Sequence, residues 1–328
     1  MSDILRQETS TPNSPLPITH YPLPNPLYSF WKFSRPHTII GTSLSVWGLY
    51  IIAVAVSNAN STSLPIITHY LFPVLGAWIA CLCGNVYIVG LNQLEDVEID
   101  RINKPHLPIA AGEFSRRTGQ VIVAIMGIAA LVLAWFLGPF LFGMVGISLA
   151  IGTAYSLPPI RLKRFPFWAA LCIFGVRGTI VNLGLFLHFS WVLKINQSIP
   201  PVVWALTLFI LVFTFAIAIF KDIPDMEGDR QYNITTFTIK LGQKAVFNLA
   251  FWVLAVCYLG MILAGVLAIP GANQLFLISS HAALLGLMWW RSRNVDLQDK
   301  ASIAGCYQFI WKLFYLEYLV FPTACILK

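Results

Sequence analysis

Acidic side chains are scarce in this chain, 14 in 328 residues, and charged residues of both signs make up only 11% of it. That is too little charge to clothe a soluble globule. With 57% hydrophobic residues and a mean hydropathy of +0.73, the sequence has the bilayer as its solvent. Ten-residue segments of alternating polarity are also missing, which excludes a membrane barrel and leaves helices to satisfy the backbone inside lipid. There is no cysteine framework either. Cys81, Cys83, Cys172, Cys257, Cys306 and Cys325 lie in or beside apolar runs, with no Cys or His cluster near Cys81-x-Cys83, and read as small packing residues. The net charge of +7 does not require nucleic acid, because the basic residues sit in loops between apolar runs, where topology and phosphate binding account for them.

Residues 1 to 29 hold six prolines by Pro26, repeated Ser, Thr and Asn, and no apolar stretch long enough for a signal peptide. They are expected to form a disordered cytoplasmic tail. Its single Arg is unlike an Arg-rich transit peptide and favours a bacterial over an organellar source. Residues 30–328 then make one all-α transmembrane domain. Nine spans are expected, at 38–56, 70–91, 120–137, 139–157, 166–188, 202–220, 245–267, 274–290 and 307–327. Gly138-Pro139 should divide the third from the fourth as a tight hairpin. On this count 17 of the 21 Lys and Arg fall on one side, against Lys194 and Lys328 on the other, which puts the N-terminus and the loops after spans two, four, six and eight in the cytoplasm. Gly143, Gly146, Gly175 and Gly178 are expected to let helices pack closely.

Eight of the 14 acidic residues are gathered in two stretches at cytoplasmic ends of spans. In NQLEDVEIDRINKP, residues 92–105, Asn92, Asp96 and Asp100 are four residues apart and share a helical face. In KDIPDMEGDR, residues 221–230, Asp222, Asp225 and Asp229 share another. Hard oxygen donors without Cys or His favour Mg²⁺, two ions here, which keeps waters and shares its remaining positions with substrate phosphates. Asp96, Asp100, Asp225 and Asp229 are the candidate catalytic carboxylates. Arg35, Arg101, Lys104, Lys163, Arg164, Lys221 and Arg230 lie on the same side and would help neutralise a diphosphate leaving group. Its tail would lie among apolar helices, as an isoprenoid does in the lipid bilayer. Tyr87, Tyr155, Phe213, Phe215 and Phe220 near the motif ends would shield an allylic cation or simply pack.

Only Arg177, Lys312 and Glu317 fall within spans, where an unpaired charge costs several kcal/mol. Two readings stay open. Arg177 pairs with Glu317 across the bundle, or Arg177 faces a substrate cavity with Asn182.

RPHTIIGT (35–42), NQLEDVEIDRINKPHLPIAAGEFS (92–115), YSLPPIRLKR (155–164) and FKDIPDMEGDR (220–230) together resemble the UbiA superfamily of intramembrane prenyltransferases. The resemblance covers nearly all of the chain after the tail. It is strongest to the branch of cyanobacteria and plastids that prenylates homogentisate, because Asn92-Gln93 and INKPHLPIA depart from the Asn-Asp first motifs of other branches. It implies that Asn92, Asp96, Asp100, Asp222, Asp225 and Asp229 hold Mg²⁺ and through it the diphosphate, with Tyr155, Lys163 and Arg164 nearby. It also implies transfer of a prenyl chain, phytyl in that branch, from its diphosphate to homogentisate with loss of CO₂. The product would be 2-methyl-6-phytylbenzoquinol, a tocopherol precursor. Homogentisate is an anion, so Arg35, His37 and Arg177 are candidate contacts for it. The membrane would be plasma or thylakoid if the source is cyanobacterial.

Three rival readings differ in class or acceptor. An ion-coupled transporter would carry its carboxylates near the midplane on broken helices, not at span ends beside basic loops. A membrane scaffold gives no reason for two acidic triads. Another superfamily member would act on 4-hydroxybenzoate, dihydroxynaphthoate, chlorophyllide or haem.

Overall fold

The computed structural model describes residues 25–57, 71–195 and 198–328, and every regular element among them is helical. The tail expected at 1 to 29 lies outside the described residues as far as position 24, and its last four residues already belong to α1, Pro26–Phe33. Asn25 caps that helix, its Oδ1 accepting from Leu27 N at 3.0 Å. Arg35 then turns the chain into α2, Pro36–Ser57. Next come α3, Leu71–Glu95, α4, Val97–Asn103, α5, Arg116–Leu137, and α6, Pro139–Ser156. They are followed by α7, Pro166–Val192, α8, Pro201–Phe220, α9, Asp222–Gln231, and α10, Phe237–Leu241. Finally α11, Gln243–Val266, α12, Gln274–Ser292, and α13, Lys300–Ile326, complete the bundle.

Proline opens α1, α2, α6, α7 and α8, at the position where a missing N–H costs a helix nothing. The hairpin expected at Gly138-Pro139 is formed. Gly138 has φ 131°, and a Cβ there would lie 2.5 Å from the ring of Trp191. Of the glycines expected to admit close packing, Gly178 does so, a Cβ falling 2.4 Å from Leu211 Cα. Gly143, Gly146 and Gly175 face open space.

Among the described residues eight helices are long and apolar enough to cross a membrane, one fewer than the nine spans expected. The expected span that falls short is the eighth, α12, 19 residues long, in which Gln274, Ser279, Ser280, His281 and Arg291 dilute the apolar run. It nevertheless runs antiparallel beside α13. Asn273 N donates to Ala324 O at 2.8 Å at one end, and His281 meets Glu317 further along. The pairing helps to hold so polar a helix, because its buried His281 finds a carboxylate partner inside protein.

α2, α3, α6, α7, α8 and α13 close a ring, each packed on the next, and only these six spans contribute to the wall of a central cavity of about 940 Å³. α5, α11 and α12 pack outside the ring. α7 is interrupted by a π-helical turn, Gly175–Ile180, which carries Arg177. Such turns inside α-helices recur at functional sites because they re-aim side chains.

Candidate active site

The first motif keeps its four-residue register across a break in the helix. Asp96 N donates to Asn92 O at 3.0 Å and Asp100 N to Asp96 O at 2.7 Å, so the three side chains stay aligned although α3 ends at Glu95. Asn92 Nδ2 donates to Asp96 Oδ2 at 2.8 Å, and Arg35 Nη2 donates to Asn92 Oδ1 at 3.0 Å. From the loop after α6, Arg161 Nη2 donates to Asp96 Oδ1 at 3.0 Å and Lys163 Nζ bonds the same oxygen. Arg35 and Arg161 both have left-handed backbones, φ 53° and 39°, which side chains adopt at a cost. Each of these strained residues contacts the first motif.

The second motif follows α8 directly. Lys221 Nζ donates to Asp222 Oδ1 at 2.9 Å, and Lys104 Nζ reaches across from the first motif to Asp225 Oδ2 at 2.5 Å. Asn103 fastens the two stretches together. Its Nδ2 donates to Asp225 O at 2.8 Å while its Oδ1 accepts from Gly228 N at 2.9 Å. A Cβ at Gly228 would lie 2.6 Å from Asn103 Oδ1, so this approach needs glycine.

Burial governs the charges here. It pushes the Asp100 carboxyl up to about 6, against the pull of Arg35 and Lys104, with Asp96 and Asp225 adding repulsion. It pushes Asp229 up to about 7, against Lys221. Burial lowers Lys163 despite the opposing Asp96 carboxylate. For Lys221 burial acts downward too, but Asp222 outweighs it and holds the ammonium charged.

The donor set suits Mg²⁺. Asp100 Oδ2 is buried without a hydrogen-bond partner, and Asp229 forms no ion pair among the described residues. Burial raises the pKa of both carboxyls, a cost that a bound cation would offset. No three His, Cys, Asp or Glu among the described residues converge closely enough to hold an ion unaided.

Of the residues singled out in the sequence, Arg35, Asn92, Asp96, Asp100, Lys104, Tyr155, Lys163, Arg177, Lys221, Asp222, Asp225 and Asp229 line the one cavity. Arg101 and Arg164 stand apart from it. Arg101 is exposed and donates to Glu98 at 2.7 Å, and Arg164 points to the exterior of its loop. Arg177 does not pair with Glu317, which is fully buried against His281 Nε2 at 3.2 Å. Its guanidinium instead lies over the rings of Trp311 and Phe314, 5.3 and 5.5 Å from their centroids. Asn182 is buried away from the cavity, accepting from the Tyr318 hydroxyl at 2.8 Å. Lys312 is exposed on the outer face of α13.

Sequence reasoning missed Arg161 and Asn103 as members of the site. The signal for Arg161 was its place two residues before Lys163, which puts both on Asp96. Nothing local distinguished Asn103, whose partners are more than a hundred residues away.

The model of the UbiA prenyltransferase family matches residues 44–313. The chain is 57% identical over 302 residues to the homogentisate phytyltransferase of Synechocystis sp., covering 91% of this chain and 96% of that protein. It is 43% identical to the chloroplastic homogentisate phytyltransferase 1 of Arabidopsis thaliana, over 90% of this chain and 75% of the relative. Its fold is similar to that of a UbiA homolog from Archaeoglobus fulgidus bound to GPP and Mg²⁺, with a TM-score of 0.59 at 15% identity, covering 90% of this chain and 99% of the other.

Proposed function

The chain belongs to the UbiA prenyltransferase family, and from that premise we propose that it transfers a phytyl group from phytyl diphosphate to homogentisate, releasing diphosphate and CO₂. One observation carries the reading. A single cavity joins a mouth of aspartates, lysines and arginines to an apolar interior enclosed by six helices, which suits a substrate with a phosphate head and a hydrocarbon tail. The homogentisate-prenylating relatives supply the donor and the acceptor.

Asn92, Asp96 and Asp100 on one side and Asp222, Asp225 and Asp229 on the other would hold Mg²⁺, two ions, between them. Bound Mg²⁺ would neutralise the diphosphate and weaken its bond to the allylic carbon. The cations that occupy those carboxylates in the structure, Arg161, Lys163, Lys104 and Lys221, would then turn to phosphate oxygens. As the C–O bond to diphosphate breaks, a ring carbon beside a phenol forms the new C–C bond. The ring then loses its proton to regain aromaticity. Loss of CO₂ leaves an electron pair on the side-chain carbon, which takes up a proton and becomes the methyl of 2-methyl-6-phytylbenzoquinol. The cavity walls exclude the water that would otherwise hydrolyse an allylic cation. The gathering of basic residues on the motif side supports a cytoplasmic site, with residues 30–328 acting as one domain.

The test is an assay of purified protein in detergent with ring-labelled homogentisate, phytyl diphosphate and Mg²⁺, following lipid-soluble label. A phytylated quinol that disappears with EDTA and with Asp96→Asn is expected. Product only with a different aromatic acid would overturn the acceptor, and EDTA-insensitive turnover would overturn the metal.

A further inference from the structure

Arg177 is a cation inside the membrane-spanning bundle with no carboxylate of the described residues within ion-pair distance. Its neighbours are the Trp311 and Phe314 ring faces and the phenols of Tyr307, Tyr315 and Tyr318. An arrangement of this kind is costly unless a counter-charge arrives, and the cavity it lines is the route by which one can.

Depth separates Arg177 from the diphosphate. Its Nη1 lies against α2 at Gly41, where a Cβ would be only 3.2 Å away. Gly41 is six residues beyond Arg35, so the Arg177 guanidinium lies beside a point of α2 roughly 9 Å further along the helix than the Arg35 backbone. The walls also divide. Near Arg177, α2 and α13 supply His37, Tyr307 and Trp311, whereas α3 and α6 supply Ile88, Met144, Val145 and Leu149 with Asn85 and Ser148 among them. A prenyl tail fits the aliphatic wall, which leaves the aromatic and polar wall for an aromatic ring.

Resting on the prenyltransferase reading above, we infer that Arg177 binds the carboxylate of the aromatic acceptor, holding its ring between that anchor and the reacting carbon beside the diphosphate. The subsite takes a small aryl acid, with its charge on Arg177 and its ring against the α13 aromatics. The π-turn, which departs from α-helical phase, aims the side chain at α2 and α13.

The experiment compares wild type with Arg177→Gln, both loaded with Mg²⁺ and a prenyl thiodiphosphate that does not react. Binding of homogentisate and of methylhydroquinone, its uncharged counterpart, is measured by equilibrium displacement. Arg177→Gln should lower the preference for the acid by about tenfold or more, the loss expected of a charge-assisted pair, while thiodiphosphate binding stays within about twofold. An unchanged preference overturns the inference. Should Arg177→Gln fail to bind the thiodiphosphate, Arg177→Lys decides. Its loss of the planar fork should lower the preference several-fold, and an unaltered preference there overturns the inference as well. A wild type that rejects homogentisate but binds another aryl acid through Arg177 would overturn the acceptor proposed above and leave this subsite standing.

Discussion

Lys104 and Asp225, 121 residues apart in the chain, meet at 2.5 Å and join the two acidic stretches into one site. Asn103, the preceding residue, makes two more bonds across the same gap, to Asp225 O and Gly228 N. The short helices α4 and α9 are therefore fastened to one another.

Asn103→Ala should loosen that fastening without unfolding the bundle. Two hydrogen bonds of about 1 kcal/mol each are lost, so kcat/KM should fall about ten- to thirtyfold and the Mg²⁺ concentration for half-maximal rate should rise. Steady-state assays across a Mg²⁺ series check this. An unchanged Mg²⁺ dependence would mean that α4 and α9 are held together by other contacts.

Arg161 and Arg164, three residues apart, should behave oppositely. Arg161→Gln removes a charged hydrogen bond to Asp96, for a loss of about ten- to a hundredfold in kcat/KM. Arg164→Gln touches nothing in the cavity and should stay within about twofold, as should Arg101→Gln. Measuring the three side by side tests whether charge at the surface or geometry in the cavity matters.

Mg²⁺ affinity should weaken as pH falls. Asp100 and Asp229, pushed to about 6 and about 7, must give up protons before they can ligate. Between pH 8 and 5.5 the loss should steepen towards about tenfold per pH unit for each proton displaced. The metal-free protein should show the opposite sign. Carboxyls whose folded pKa exceeds the unfolded value add stability when protonated, a contribution lost as pH rises through about 6 and 7. Titration calorimetry and thermal unfolding with and without Mg²⁺ measure both. A flat affinity profile would assign the metal to other carboxylates.

His281→Leu should destabilise the bundle by about 3–5 kcal/mol, because it strands the buried Glu317 carboxylate. Replacing both residues with leucine should recover most of that loss. Unfolding of the single and double variants in detergent separates a paired charge from simple packing.

The spans were legible because lipid forces apolar runs of about twenty residues. The aspartate faces were legible because four-residue spacing survives even the break at Asp96. What escaped was whatever depended on partners distant in sequence. Pairing with Glu317 stood as one of two open readings for Arg177, and the partner of Glu317 proved to be His281, on a helix read as ordinary apolar span. The π-turn at Gly175–Ile180 left no composition signal, so the direction of Arg177 could not be read from helical phase. Arg101 and Arg164 carried the right charge near the right motif, but a loop and a helix surface turned them outward.

The carboxylates Asp96, Asp222 and Asp225 each hold a lysine in the structure. On the reading proposed above, loading the site would exchange partners at these three carboxylates, while Asp100 and Asp229 form no ion pair among the described residues. A divalent ion arriving alone would then have to displace ammonium groups from those three carboxylates without offering them a new partner. When the ion arrives with a diphosphate, the displaced lysines find phosphate oxygens at once. Such a lock would admit metal and donor together more readily than either separately, and would keep an idle catalyst in the membrane from scavenging free cations.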